Sequence, residues 1–469
     1  MIVLNRGKYL VKNTLLFALA NFGTKFISFF LVPLYTNALS KEEYGTTDLI
    51  FTICSFVVPF IILNINEAIL RFALDKSSDS NSIMSAGFAV LLFSLFEGAL
   101  LAMLAKLYKP IAPYSSLVYF YAVTLGMSLI FVSYLRGKEL LFRFAIGNIL
   151  QTLFIALFNI LFLLVFRWGI KGYLLAYISA NLLTSMYAFI AGNLKDVILH
   201  FNVDKKLWIE MVKYAVVLIP NSFMWWIMNS LDRVMLTSMV GVGIVGIYAV
   251  SNKIPSLLSV ATSIFNQAYS YSAIKENDSA DRESYNNKIY DYFVGLITIF
   301  SVLIMMIIRA FIKIYVSEEF YSAWEYAPPL IVGTAFLSFA TLLAMSYIVN
   351  KDSKGFLYSS TIGSIVNIVL NYFLIPSFGA MGAAIATCVS YITVLLYRHF
   401  NIKKYLVIKT FSVKHLISYG IILLSGILVY MSTHFQIFVS IILLVTVVII
   451  YKDNWKGISE SILKKKSRD

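Results

Sequence analysis

Trp168-Gly-Ile-Lys-Gly-Tyr-Leu-Leu-Ala176 returns 210 residues later as Phe378-Gly-Ala-Met-Gly-Ala-Ala-Ile-Ala386. Both copies read aromatic, Gly, two residues, Gly, three residues, Ala, and both open an apolar run after a very short turn. A weaker echo pairs Glu43-Tyr44-Gly45 with Ile244-Val245-Gly246 at an offset of 201. Offsets that agree apart from a small insertion mark an internal duplication. The apolar runs show what is duplicated. About fourteen of them are long enough to cross a hydrocarbon core. They lie at 13–37, 46–70, 83–107, 115–135, 143–166, 170–192, 213–238, 243–271, 288–312, 326–350, 356–376, 379–398, 413–432 and 435–451. The sequence therefore predicts an all-α integral membrane protein of about fourteen transmembrane helices. Six spans form an N-lobe (1–194) and six a C-lobe (213–400), and spans 13 and 14 with a basic tail make up 401–469. An even number of spans per repeat gives both lobes the same orientation and a pseudo-twofold along the membrane normal. The linker 195–212 carries Leu199, Val203, Leu207, Trp208 and Met211, the pattern of an amphipathic helix on the inner surface.

Composition supports a membrane protein. The chain is 59% hydrophobic and only 13% charged, against about 25% charged in a soluble domain. The net charge of +14 comes from 38 Lys and Arg placed in short gaps between the runs. Alternate gaps hold 28 on one side and 7 on the other, with three inside the spans. That bias puts both termini in the cytoplasm. It also excludes nucleic acid as the partner, which would need a soluble basic face. Cys54 and Cys388 sit inside apolar runs and read as packing thiols. The first run, from about Thr14 to Ala38, is too long for a cleavable signal.

Ionisable residues at bilayer depth cost about 2.5–3.5 kcal/mol each on insertion scales, so each is a functional candidate. Lys25, Glu97 and Lys253 fall near the middle of spans 1, 3 and 8. Asp232 and Arg233 are adjacent near the outer end of span 7. Asp48 is near the outer end of span 2, with Glu67 and Arg71 one turn apart near its inner end. Lys25, Arg233 and Lys253, joined by Arg71, would make a cavity cationic, suited to phosphate oxygens held by Arg forks and Lys point charges. Glu97, Asp48, Glu67 and Asp232 are the candidates for a coupling cation or proton. Glu67 and Arg71 have a second reading as an i,i+4 pair at a membrane edge, Asp48 as a residue that caps or flanks its span, and Asp232 as the counter-charge of Arg233.

Other signals point away from catalysis. Gly241-Val-Gly243-Ile-Val-Gly246 spells a dinucleotide fingerprint but joins two spans instead of following a strand, so it reads as a small-residue turn. The four histidines, His200, His399, His415 and His434, are too scattered for a metal site. No cofactor is implied.

Asn13-Thr-Leu, Leu31-Val-Pro-Leu-Tyr35, Glu43-Tyr-Gly45 and Asp48-Leu49 resemble the first hairpin of a known family. Asp232-Arg233-Val-Met-Leu236, Val245-Gly-Ile-Tyr248 and Asn252-Lys253-Ile254 are similar to its seventh and eighth helices. The family is the polysaccharide transporters (O-antigen and capsule flippases, Wzx-type) of the multidrug/oligosaccharidyl-lipid/polysaccharide exporter superfamily. The resemblance implies two six-helix lobes around a cationic cavity, alternating access and ion coupling. It implies an undecaprenyl-diphosphate-linked oligosaccharide as cargo, in the bacterial inner membrane among its lipids. Polymerase and chain-length proteins of the same pathway are the implied partners. Two rivals stand beside this reading: a drug/cation antiporter of the same fold, which an acidic cavity would favour, and an integral-membrane glycan polymerase or transferase, which would need a catalytic cluster and a larger loop.

Overall fold

The computed structural model describes residues 27–74, 79–275 and 281–452. Among these residues the fold is helices and their connections. In chain order the helices are α1 Ile27–Ala38, α2 Lys41–Ile61, α3 Ile65–Ala73, α4 Ser80–Ala105, α5 Ser115–Gly137, α6 Leu141–Asn159, α7 Gly169–Ala191 and α8 Leu194–Leu199. Then follow α9 Lys205–Met239, α10 Val242–Lys253, α11 Pro255–Lys275, α12 Arg282–Tyr315, α13 Ala323–Val349, α14 Ser353–Asn401, α15 Val413–Leu428 and α16 Thr433–Ile450. Among the described residues, eleven helical stretches are long and apolar enough to cross a membrane. The longest contains α14, which is two helices joined at Gly379 (φ 54°, ψ −133°). Counting it twice and adding the shorter apolar helices α1 and α15 gives the fourteen runs read from the sequence. Their outward faces are apolar: Phe96 is 71% exposed and Ile314 88%. Such faces need lipid as their solvent.

The chain divides into two compact units, one of residues up to Trp226 with Gly241–Gly246, the other of Ile227–Val240 and everything from Ile247. In the first unit α5 is the hub, packed on α2, α3, α4, α6 and α7. In the second the hub is α13, which packs on α11, α12, α14 and α15 and is the most enclosed span, 83% buried. A helix apolar on every face belongs in such a position.

The sequence repeat is a repeat of backbone conformation. Gly169 and Gly379, the first glycines of the two copies, share a φ of +54°, a left-handed geometry that a Cβ disfavours. The second glycines let the new helix start close to the old one. A Cβ on Gly172 would lie 3.0 Å from the Phe162 carbonyl oxygen, and one on Gly382 would lie 2.3 Å from that of Leu374.

Three expectations are corrected in detail. Span 2 is not one helix over 46–70: the chain breaks at Leu63 and Asn64, both left-handed (φ 50° and 51°). The last regular bond runs from the Ile62 N–H to the Val58 carbonyl at 3.0 Å; beyond it the Pro59 carbonyl accepts the Asn64 N–H at 2.6 Å. Span 8 is also two pieces, because α10 stops at Lys253 and Pro255 begins α11. The linker 195–212 is not a single amphipathic helix. α8 ends at Leu199 and α9 begins at Lys205, where Asp204 Oδ1 accepts the N–H groups of Lys206 (2.8 Å) and Leu207 (3.4 Å). That cap makes Leu207, Trp208 and Met211 the first turns of a 35-residue helix running on to Met239.

Candidate functional site

A buried polar group in the second unit surrounds Asp232. On α9, Asn229, Asp232 and Arg233 lie three and four residues apart and share a face. Asp232 is 4% exposed. Its Oδ2 accepts the Tyr248 hydroxyl of α10 at 2.6 Å, and its Oδ1 accepts the Arg233 N–H at 2.9 Å. Tyr248 is fully buried, and its hydroxyl is also within bonding reach of Thr387. The two halves of α14 close the cluster. Asn367 donates to the Thr387 hydroxyl at 3.3 Å, and Asn371 donates to Asn367 Oδ1 at 2.9 Å. Tyr391 donates to Asn229 Oδ1 at 2.8 Å. Asn367 and Asn371 are both fully buried, and Asn371 Oδ1 has no hydrogen-bond partner among the described residues. One carboxylate with several amide and hydroxyl oxygens is a donor set for a hard cation or a proton. The turn at Gly379 folds α14 back so that Asn367 and Thr387 meet.

Arg233 stands beside this cluster, half-buried, with Nη1 donating to the Asn229 carbonyl at 3.2 Å. Lys253 is the last residue of α10, also half-buried, at the break before Pro255. A cation at a helix C-terminus is favoured by the helix dipole, and a broken span exposes backbone groups suited to a ligand. Asp232, Arg233 and Lys253 therefore belong to one unit. Lys25 lies outside the described residues.

The remaining candidates are in the first unit and are dispersed. Asp48 is half-buried on α2, within electrostatic range of Tyr177. Around it Tyr35 meets Tyr173 (ring centroids 4.7 Å) and Phe51 meets Tyr177 (4.6 Å), giving a buried phenol cluster. Glu67 and Arg71 are exposed on α3, and among the described residues no ion pair joins them; Glu67 Oε1 instead accepts Asn66 Nδ2 at 3.1 Å. Glu97 is half-buried on α4 between exposed apolar neighbours.

Sequence reasoning missed five members of the Asp232 cluster as site residues: Tyr248, Asn367, Asn371, Thr387 and Tyr391. The i,i+4 pair Asn367 and Asn371 on an apolar helix was the available signal. Arg398, one of the 28 Lys and Arg counted in the gaps of the cytoplasmic side, is not a surface charge. Arg398 is fully buried, its Nε donating to Ser359 Oγ at 3.0 Å and its Nη1 to the Ala340 carbonyl at 2.9 Å, so it ties α13 to both halves of α14.

Gly246, the last glycine of the false fingerprint, has a packing role in the first unit. A Cβ on Gly246 would lie 2.1 Å from the Lys41 carbonyl oxygen, and one on Gly45 would lie 2.1 Å from that of Val242. Each glycine thus faces the carbonyl four residues before the other, so α2 and α10 cross in backbone contact.

Two compact helical units, broken spans and a buried polar cluster around one carboxylate define a polytopic helical fold. The solved structures agree. The chain matches an inward closed lipid II flippase, MurJ, at a TM-score of 0.70 and 16% identity, over 94% of this chain and 99% of that one. It matches an inward-facing multidrug resistance MATE family transporter of the MOP superfamily at 0.64 and 12%, over 82% and 94%. A Vibrio cholerae MATE transporter follows at 0.55 and 15%, over 85% and 96%. At these identities the structural match establishes a shared fold and nothing more. No curated protein sequence matches the chain significantly. The family model described as polysaccharide biosynthesis protein matches residues 10–276, more than half of the chain, and the chain belongs to that family.

Proposed function

We propose that this protein is a flippase, not an enzyme. Its cargo is an undecaprenyl-diphosphate-linked oligosaccharide, an O-antigen or capsule repeat unit, carried from the inner to the outer leaflet of the bacterial cytoplasmic membrane. Membership of the polysaccharide biosynthesis family carries this reading. The fold adds support, being one that a lipid II flippase uses.

On this reading the lobes are 1–194 and 213–400, joined by 195–212, with both termini cytoplasmic. Lys25, Arg71, Arg233 and Lys253 attract the diphosphate. Arg233 offers a planar fork and the lysines offer point charges. The cycle is alternating access, in which the cargo sees one leaflet at a time. The Asp232 cluster is the coupling site, with Asp48, Glu67 and Glu97 as further acidic positions in the first unit. One charge crossing 100 mV supplies about 2.3 kcal/mol, enough to bias such a cycle. Polymerase and chain-length proteins would take the product on the outer face.

The test is glycan export in cells lacking this gene, complemented with wild type or Arg233→Ala. The expected result is a lipid-linked repeat unit stranded on the inner leaflet, surface polymer restored by wild type, and little restored by the variant. A unit that reaches the outer leaflet without the gene but stays unpolymerised would favour an enzyme instead.

A further inference from the structure

Arg398 is a buried charge without a counter-charge. It lies on the second half of α14, and its side chain is fully buried. Among the described residues no carboxylate pairs with it. Neutral groups hold the guanidinium instead: Ser359 Oγ, the Ala340 carbonyl and the Phe356 ring, whose centroid is 5.2 Å away. Its Nη2 has no hydrogen-bond partner among the described residues.

Stability does not account for such a residue. Taking a charge out of water is costly, and an apolar side chain of similar volume is often as stable or more so. The best-attested use of a buried charge is to fix the register of packed elements. Register matters here. The two halves of α14 run back from the turn at Gly379 and pack through small residues. Nearest the turn, a Cβ on Gly382 would meet the Leu374 carbonyl oxygen. Further along, Asn367 donates to Thr387 Oγ1 at 3.3 Å. Beyond that, a Cβ on Gly363 would lie 2.5 Å from Val394 Cγ2. Arg398 Nε reaches Ser359 Oγ last, at 3.0 Å. Small residues allow close approach but impose little direction. Arg398 imposes direction at the end of the hairpin away from the turn. Thr387 lies between these two fixed points, about 12 Å from Gly379 and about 16 Å from Arg398 along the helix. The bond to Ala340 ties the same end to α13, the most enclosed span of the unit.

We propose that Arg398 is a positioning residue for the Asp232 cluster. It does not touch the cluster. It clamps the open end of the α14 hairpin, which keeps Asn367 on one half within bonding distance of Thr387 on the other. The inference rests on the reading of that cluster as the coupling site for a cation or proton. Releasing the clamp lets the halves part and spreads the oxygen set, so affinity for the ion falls while the fold persists.

The test uses purified full-length protein in detergent. The probes are sodium chloride, titrated against choline chloride at constant ionic strength, and pH at constant salt. The unfolding temperature without the ion reports the fold, and its dependence on the probe reports binding. Wild type is expected to be stabilised by one of the two probes, and Asp232→Asn to lose that response. Arg398→Met is expected to unfold, without the ion, at or above the wild-type temperature. It is expected to need about tenfold more of the probe for the same stabilisation. Ser359→Ala, which removes the Nε acceptor and keeps the guanidinium, is expected to shift the midpoint in the same direction by less. A wild-type midpoint in folded Arg398→Met overturns the positioning role, whatever its unfolding temperature. If Arg398→Met does not fold, Ser359→Ala decides, and a wild-type midpoint there overturns the role. A wild type that responds to neither probe through Asp232 overturns the coupling reading itself, and the positioning role with it.

Discussion

Gly45 and Gly246 meet where only backbone is available to yield. A Cβ at either position would sit 2.1 Å from a carbonyl oxygen, so the helices must part to admit one. Overpacking of this kind costs roughly 1–3 kcal/mol. Gly246→Ala should lower the unfolding temperature in detergent and reduce export, and Gly45→Ala should do the same. Unchanged stability in both would show that the crossing is not as close as described. Tyr248 gives a second prediction at this scale. Its hydroxyl is 2.6 Å from a carboxylate that is 4% exposed, and a hydrogen bond to a charged group contributes about 1.5–3 kcal/mol. Tyr248→Phe should destabilise by about that much and shift the dependence of transport on the ion gradient. A variant that unfolds earlier yet keeps the wild-type gradient dependence would confine Tyr248 to a structural role. The sequence made Asp232 legible through its charge at depth. Tyr248 and Thr387 carried no such mark, because a lone hydroxyl in an apolar run is ordinary and their meeting depends on how three helices fold together.

The repeated element Trp168–Ala176 and Phe378–Ala386 was legible as a pattern because its conformation demands glycine. Gly169 and Gly379 sit at φ +54°, where a Cβ costs roughly 1–2 kcal/mol. Gly379→Ala should therefore loosen the turn that brings Asn367 to Thr387, lowering stability and coupling together. The breaks at Leu63–Asn64 and at Ile254 were less legible. Proline marked each region, but proline inside a transmembrane helix is often tolerated as a kink. Arg398 was misjudged because a basic residue at a span end normally reaches water, and its partners Ser359 and Ala340 lie 39 and 58 residues away. At the start of α14, Asp352 provides a pH test. The Gly355 N–H, then the Lys404 ammonium, hold its carboxyl down to about 2. A depressed acid stabilises the fold above the unfolded carboxyl range near 4, and the contribution fades as pH falls from there towards 2. Asp352→Asn should lower stability at neutral pH and flatten its decline over that acid window. An unaltered acid profile would assign the decline to other carboxylates.

At the scale of the whole molecule, the count of spans and the duplication followed from hydropathy and two glycine motifs, because lipid imposes length and polarity on every span. Family membership narrows the role to polysaccharide biosynthesis. The cargo and its direction belong to our proposal, and the same is true of Arg233, Lys253 and Asp232 as working parts. The most direct test is translocation in a defined membrane. Purified protein would be reconstituted into proteoliposomes holding an undecaprenyl-diphosphate-linked oligosaccharide, with leaflet exposure read by a glycosidase added outside. For a flippase, wild type makes the protected half of the cargo accessible over time, and Arg233→Ala slows this at least tenfold at equal incorporation. Protection that persists with correctly incorporated wild type, with and without an ion gradient, would contradict the central claim that this chain moves a lipid-linked glycan.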